Sequence, residues 1–397
     1  MFIQMHLLQS LPPGNLNRDD TGQPKKCLFG GVTRGRISSQ CLKRTIRRSP
    51  QFRACLDGQA LRSQYLPKLV TERLTGEDGF DEAEASALAE GMRKRFSAEK
   101  KGNDSDNDTG QEKPVASHAT DLATRQLVFF SAAFVDALAA KIVAARTQEG
   151  VKALTPKKKQ KWYAEFFKDN AEGIATASEK ITPDIALFGR MTTSDLLVDV
   201  EAICQVAHAI STHETIIESD YFTAMDDLTT EPGAAFLGSG DTETFFDASV
   251  YYKYMNLDLD ALRDAEHMTE AFSAQDAAAL AAAFLRAAVC NNPTGKQNSF
   301  AAHGMPELVL VEVSKVKQPI SYANAFLQPV AGENLMKQSA DALGQYVEDA
   351  DRAFSRTDLT RLAFQWGSAS KAALPARKVQ TFDELVESME SQLCQES

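Results

Sequence analysis

The sequence has no apolar run near the roughly 18–20 residues needed to cross a bilayer. Its hydrophobic residues, 43% of 397, are instead spread along the chain. They are enough for a sizeable core in two lobes, or in one domain with large insertions. Met1–Ser10 is apolar but alternating, without a charged leader or a small-residue cleavage site. It therefore reads as a first strand, and the chain is expected in the cytoplasm. Cysteine is sparse: Cys27, Cys41, Cys55, Cys204, Cys290 and Cys394 stand far apart, with no zinc-knuckle or thioredoxin-type spacing. Reduced thiols are expected, and no disulfide, metal or cofactor. The six histidines form no ligand or triad constellation. His208 and His213, five apart, are expected on opposite faces of one strand.

The most telling absence is local. From Thr21 to Leu56 there is no acidic residue, although the whole chain carries a net charge of −11. Residues 1–56 hold ten of the 43 Lys and Arg but only Asp19 and Asp20 of the 54 acids. Such segregation sets a local positive field on an acidic body, which suits a specific anionic ligand and limits indiscriminate binding.

Phe2–Gln9 alternates as a strand should, and a polar loop is expected from Leu11 to about Thr33. Ser38 or Ser39 can cap a helix that runs to Arg48, where Ser49-Pro50 stops it. On that helix Leu42 and Ile46 face a core, while Lys43 with Arg47 and Arg44 with Arg48 form two cationic rows. Residues 60–180 read as wholly helical, with helices near Leu61–Leu74, Asp81–Phe96, Asp121–Thr147 and Pro156–Asn170. Lys100–Lys113, almost without apolar residues, is expected to be an unstructured loop. Strands are predicted over Leu196–Thr212, Thr244–Asn256 and Glu307–Lys315, and helices over Ser273–Val289, Leu335–Phe354 and Phe382–Leu393. Between the second and third strands lies an excursion with turn residues at Glu231-Pro232-Gly233 and Gly238-Ser239-Gly240. With the helical block set aside, the order is strand, helix, strand, strand, helix, strand. That is the split βαβ order of an α+β, ferredoxin-like sheet. RNA-recognition modules share this sheet, though no aromatic RNP motif is present.

Phe29–Arg48, FGGVTRGRISSQCLKRTIRR, is the strongest local segment. Arg34, Arg36, Lys43, Arg44 and Arg47 supply charge. Ser38, Ser39 and Gln40 supply neutral hydrogen bonds near a helix N-terminus, and Gly30, Gly31 and Gly35 permit close backbone approach or positive φ. This mixture matches the needs of a sugar-phosphate backbone. It is not a nucleotide loop, for neither G-x-x-x-x-G-K-[ST] nor G-x-G-x-x-G occurs in it.

Several motifs, in order, resemble one family. They are LNRDD at Leu16–Asp20, FGG…R.RISSQ.LKR..R, LFGRMTTS at Leu187–Ser194, AHAISTHE, DYFTAMDDL, TGKQ at Thr294–Gln297 and SYANAF at Ser321–Phe326. The family is the CasC type of CRISPR backbone protein, the repeated subunit of the type I-E Cascade complex (RAMP superfamily). The resemblance implies a hand: an RRM-like palm (1–58, 186–212 and 244–397), inserted helical fingers (59–185) and a β-hairpin thumb (213–243). It implies a noncatalytic subunit that stacks on copies of itself along a guide RNA, beside other Cascade subunits, and presents the RNA to target DNA. On this sequence it implies phosphate contacts from Arg18, Lys25, Ser38, Gln40, Lys43, Arg44 and Arg47. Met191, Thr192, Ser194 and Thr212 would line the same track, with Met191 and Leu237 as apolar wedges. The family's lysine-rich finger helix, which gathers duplex DNA, is matched by Lys157, Lys158 and Lys161, although Ala164 or Glu165 stands where a further lysine is usual. The rival reading is a metal-dependent ribonuclease that uses Asp19 or Asp20, as in more distant type III relatives.

Overall fold

The computed structural model describes residues 1–55, 60–77, 80–96, 124, 127–179, 181–192, 194–221, 224–225, 235–236, 243–263 and 273–395. The chain divides into two units: residues 1–55, 204–260 and 272–397 form the first, and 56–203 with 261–271 the second. Residues 186–203, read from sequence as palm, thus group with the helical block.

Unit 1 is built on a mixed sheet. β1 (Phe2–Gly14) is followed by a hairpin, β2 (Lys26–Phe29) and β3 (Val32–Ile37), then by helices α1 (Ser39–Arg48) and α2 (Pro50–Ala54). After unit 2 come β6 (Cys204–Val206), β7 (Ala209–Ser211), β8 (Glu218–Tyr221), the pair β9 (Ala224–Met225) and β10 (Ala235–Phe236), and β11 (Glu243–Asp258). α9 (Leu259–Arg263) crosses the unit boundary in sequence. The chain ends with α10 (Ala274–Cys290), α11 (Gln297–Phe300), β12 (Pro306–Ser314), α12 (Leu335–Phe354), β13 (Leu359–Gln365), β14 (Arg377–Val379) and α13 (Phe382–Gln395). The strand order is β14-β13-β12-β1-β11-β7-β3-β2, with β6 and β8 also on β11. All these pairs are antiparallel except β13 with β14.

β1 alternates as expected, yet every residue from Phe2 to Leu8 is buried. Its polar positions face a second layer instead of water. Leu8, Tyr252, Tyr254, Leu308 and Leu310 pack on Met336, Ala340, Leu343 and Val347 of α12 and on Tyr322 and Phe326. On the opposite side α10 packs with α1, α2 and α13, and α13 lies on β12 and β13. α10 starts at a capping box, Ser273 with Asp276, and its alanines allow close packing nearly all round.

The polar residues of the α12 layer converge on Glu312. Its carboxylate accepts hydrogen bonds from Gln4 (3.2 Å), Tyr322 (2.7 Å), Arg356 (3.1 Å) and Arg361 (2.6 Å). His6 stacks on Tyr322, centroids 4.4 Å apart, and its Nδ1 lies 2.8 Å from the Tyr252 hydroxyl. Burial holds the His6 pKa below its ordinary value, against the pull of Glu312. Burial alone would raise the Glu312 pKa; the His6 contact and the Arg361 and Arg356 guanidiniums reverse this and hold it well below 4.5.

Unit 2 contains α3 (Leu66–Leu74), α4 (Glu82–Phe96), α5 (Ala132–Gln148), α6 (Pro156–Asp169), α7 (Ala171–Ala177) and α8 (Pro183–Phe188). It is not wholly helical: β4 (Leu61–Ser63) pairs with β5 (Val128–Phe130), where helices were expected to begin. Phe129 and Phe130 are buried there, so tertiary packing overrides the helical reading. The predicted strand 196–212 is likewise reduced to β6 and β7, and His208 and His213 lie outside both. The expected loop 11–33 holds the β2–β3 hairpin. Gly30 (φ 62°) and Gly31 (φ 83°) form its two-residue turn, a geometry open to glycine at little cost. β13 and β14 had no counterpart in the sequence reading. The expected loop 100–113 and the turn residues 231–233 and 238–240 lie outside the described residues.

Glu312→Ala would leave the buried Arg356 and Arg361 guanidiniums with Asp351 as their remaining carboxylate and is expected to lower unit 1 stability by about 3 kcal/mol. Denaturant unfolding followed by Trp366 fluorescence in a Trp162→Phe background reads unit 1, because the second tryptophan, Trp162, lies in unit 2. With its folded pKa depressed, Glu312 contributes stability fully above about pH 4.5, and this is lost as pH falls toward the folded value. Glu312→Gln should therefore lose less stability than wild type on acidification below that pH.

Candidate nucleic-acid interface

The acid-free segment is held by neutral bonds. Asn17 accepts the Lys25 N–H on its carbonyl (2.8 Å) and the Ser38 N–H on its side chain (2.8 Å). Lys25 in turn accepts the Arg36 N–H (2.8 Å), and Asn15 donates to the Gly22 carbonyl (2.9 Å). This ties the 15–25 loop to the end of β3 and the start of α1. Ser38 caps α1 by accepting the Cys41 N–H.

Leu42 and Ile46 are buried on α1 as expected. Gln40, Arg44 and Arg48 are exposed, and Lys43 and Arg47 are half-buried. Arg18 is exposed, while Lys25 and Arg36 are half-buried. Arg36 Nη1 donates to His208 Nδ1 (2.9 Å), which brings beside the cations a histidine that the sequence reading had set aside. Periodicity alone could not reveal this, since the partners are 172 residues apart.

Asp19 has a structural task. Its Oδ1 accepts from the Thr21 N–H (2.9 Å), the Thr21 hydroxyl (2.7 Å) and the Gln23 N–H (3.0 Å). The Thr21 hydroxyl bond leads in holding its pKa below the ordinary range. Asp20 is exposed. Among the described residues, no three His, Cys, Asp or Glu are grouped so as to hold a metal.

Four predicted contact residues turn inward. Arg34 is 0% exposed and donates to the carbonyls of Phe29 (3.1 Å), Ser211 (2.9 Å) and Phe326 (2.7 Å). Burial leads in lowering its pKa. It fastens the β2–β3 hairpin to the sheet, and its side chain is not offered to a phosphate. Ser38 is buried at the α1 cap. Thr212 is buried between Ser339, whose hydroxyl donates to it (2.8 Å), and the Val250 carbonyl. Ser194 is buried and accepts the Leu196 N–H (3.2 Å). In each case a hydroxyl or guanidinium meets a backbone demand that composition does not display.

In unit 2, Met191 is 93% exposed, and its neighbours are fixed. Gly189 (φ 75°) packs tightly on Ala202 and Val200, and buried Arg190 donates to the carbonyls of Val198 (2.8 Å) and Ser178 (2.9 Å). The Thr192 N–H donates to Asp199 (2.7 Å). On α6, Lys157, Lys158 and Lys161 are exposed, Lys161 lying 3.5 Å from Glu165. Their neighbour Lys159 is buried, donating to Glu84 (2.8 Å) beside Arg146 and Tyr163. Leu237 lies outside the described residues. No described helix is long and apolar enough to cross a membrane.

Residues 3–388 match the family described as CT1975-like protein. The chain belongs to that family. Among solved structures, the CT1975-like chain is similar to a chain of a "CRISPR RNA-guided surveillance complex, pre-nicking", at 28% identity and a TM-score of 0.76, covering 99% of this chain and 100% of that one. It also shares the fold of a chain of a "CRISPR RNA-guided surveillance complex", at 24% identity and a TM-score of 0.67, over 99% and 100% of the two chains. No curated protein matches. The resemblance to CasC-type subunits read from the motifs is thus borne out at the level of family.

Arg34→Ala removes three charge-assisted bonds from buried carbonyls and should destabilise unit 1 by about 3 kcal/mol or more. Arg44→Ala, on the exposed face of α1, should stay within about 0.5 kcal/mol of wild type. Denaturation of the two variants side by side checks the assignment of one cation to scaffold and the other to surface.

Proposed function

We propose that this chain is a noncatalytic guide-RNA-binding backbone subunit of a CRISPR surveillance complex of the type I-E kind. It assembles with copies of itself and with other subunits along the RNA and presents the guide for pairing with target DNA. The observation that carries the reading is the cationic face of unit 1. Arg18, Lys25, Arg36, Gln40, Lys43, Arg44 and Arg47 line the 15–25 loop, the end of β3 and α1, and from Thr21 onward that stretch has no acid. Cations and exposed amides of this kind grip a phosphodiester backbone without reading bases. In such a design the protein sets the geometry of the guide while base pairing reads the target.

The order β12-β1-β11-β7, all antiparallel, with α1 and α10 in the crossovers, supports an RRM-like palm. Its RNA contact differs from that of an ordinary RNA-recognition module, in which sheet aromatics stack on bases. Here Tyr252 and Tyr254 are covered by the α12 layer, so the strand is gripped at the sheet's edge and at α1. Unit 2 supplies the helical fingers. The exposed α6 lysines are proposed to meet duplex DNA, and Met191, held out on a fixed turn, to wedge between bases. The β8–β11 pairing supports a thumb. Against the ribonuclease reading with Asp19 or Asp20, Asp19 Oδ1 already accepts three bonds from its own loop.

Lys43→Ala with Arg44→Ala should weaken binding to single-stranded RNA uniformly across sequences and reduce the salt slope by about 0.7 per cation removed. Filter binding at several salt concentrations is the check, and unchanged affinity would remove α1 from the interface. If the chain ignored polyribonucleotides at low salt, alone and with its partner subunits, the whole reading would fail. Incubating the assembled complex with guide-complementary RNA and Mg²⁺ should leave that RNA intact. Regular cleavage that disappears in Asp19→Ala or Asp20→Ala would establish the rival.

A further inference from the structure

His208 sits between β6 and β7. β3 pairs with β7 through Arg36 with Ile210 and Ile37 with Ala209, so the next step along the register sets His208 opposite Ser38, the N-cap of α1. The ring is exposed, and Arg36 Nη1 lies 2.9 Å from its Nδ1. A guanidinium has donors only, so Nδ1 must be the acceptor. The ring is therefore neutral and carries its proton on Nε2, which has no protein partner among the described residues. The Arg36 backbone is bonded to Lys25, which brings a second cation to the same place. Among the described residues the charged groups that act on the ring are these two, Arg36 from β3 and Lys25 from the 15–25 loop, and neither is an acid. Partial burial first, then Arg36 and Lys25, hold its pKa below 6.5.

Among the described residues the site brings together two cations, the Nε2 N–H and the start of a helix, and no carboxylate is among the groups that act on the ring. We propose that Lys25, Arg36 and His208 form one phosphodiester subsite, in which His208 donates from Nε2 and takes up a proton from solvent as the strand binds. The inference rests on the RNA-binding reading above and adds to it a residue and a proton. An anion seated at Nε2 favours the imidazolium. Once protonated, Nδ1 becomes a donor and can no longer accept from Arg36. Arg36 is then released from the ring toward the phosphate, so one proton converts an internal Arg–His bond into two contacts with the ligand. By linkage, a strand that raises the histidine pKa must bind more tightly as pH falls.

The test is fluorescence anisotropy with a labelled oligouridylate, whose bases do not titrate between pH 6 and 8, at constant ionic strength. The full chain is compared with His208→Gln, which keeps a donor but cannot change charge. Wild type should bind more tightly at pH 6 than at pH 8, by about 3- to 10-fold for uptake of one proton. His208→Gln should bind equally at the two pH values, with circular dichroism confirming its fold. A wild type without pH dependence, or a variant with the full wild-type slope, would overturn the subsite. Failure of wild type to bind at either pH would instead overturn the RNA-binding reading itself.

Discussion

Cations that follow one another without interleaved acids repel each other, so the surface they form has to be held in place by neutral bonds. In this chain Asn17 does much of that holding. One residue fixes the Lys25 and Ser38 backbones together, and Lys25 fixes Arg36. These bonds hold the loop, the end of β3 and the start of α1 together without a carboxylate. Asp19, two residues before the segment, points Oδ1 at its own loop. Arg34 is spent differently: it is caged by three carbonyls so that the hairpin stays against the sheet.

The same economy appears in the cores of the two units. Each contains a buried glutamate surrounded by several donors: Glu312 in unit 1, and Glu84, with Arg146, Lys159 and Tyr163, in unit 2. Such clusters add little net stability over an apolar core, yet breaking one is costly. In unit 1 the cluster lies on the sheet face that α12 covers.

Much of this architecture was legible in the sequence, for identifiable reasons. α1 was readable because its cap, its apolar pair and its Ser-Pro stop agree. α10 and α12 were readable from length and periodicity. The β2–β3 hairpin was missed although Gly30-Gly31 between short apolar runs is a hairpin signal; the glycines were read as allowing close backbone approach or positive φ, and positive φ is what both adopt. β4 and β5 are three residues each, too short to show a period, and exist because they pair across 65 residues of chain. The candidate site was legible in its charges but not in its burial. Arg34 and Arg36 are two apart on one strand, and nothing local says that one is walled in while the other meets His208. That distinction comes from Ser211, Phe326 and His208, all more than 170 residues away.

The central claim is that an RNA strand lies on the loop and helix that carry Arg18 to Arg48. Ultraviolet crosslinking of the assembled protein to bound RNA, followed by mass mapping of the crosslinked peptides, addresses it most directly. The account predicts crosslinked peptides within residues 18–48. Crosslinks that avoid that stretch entirely while the RNA remains bound would contradict it.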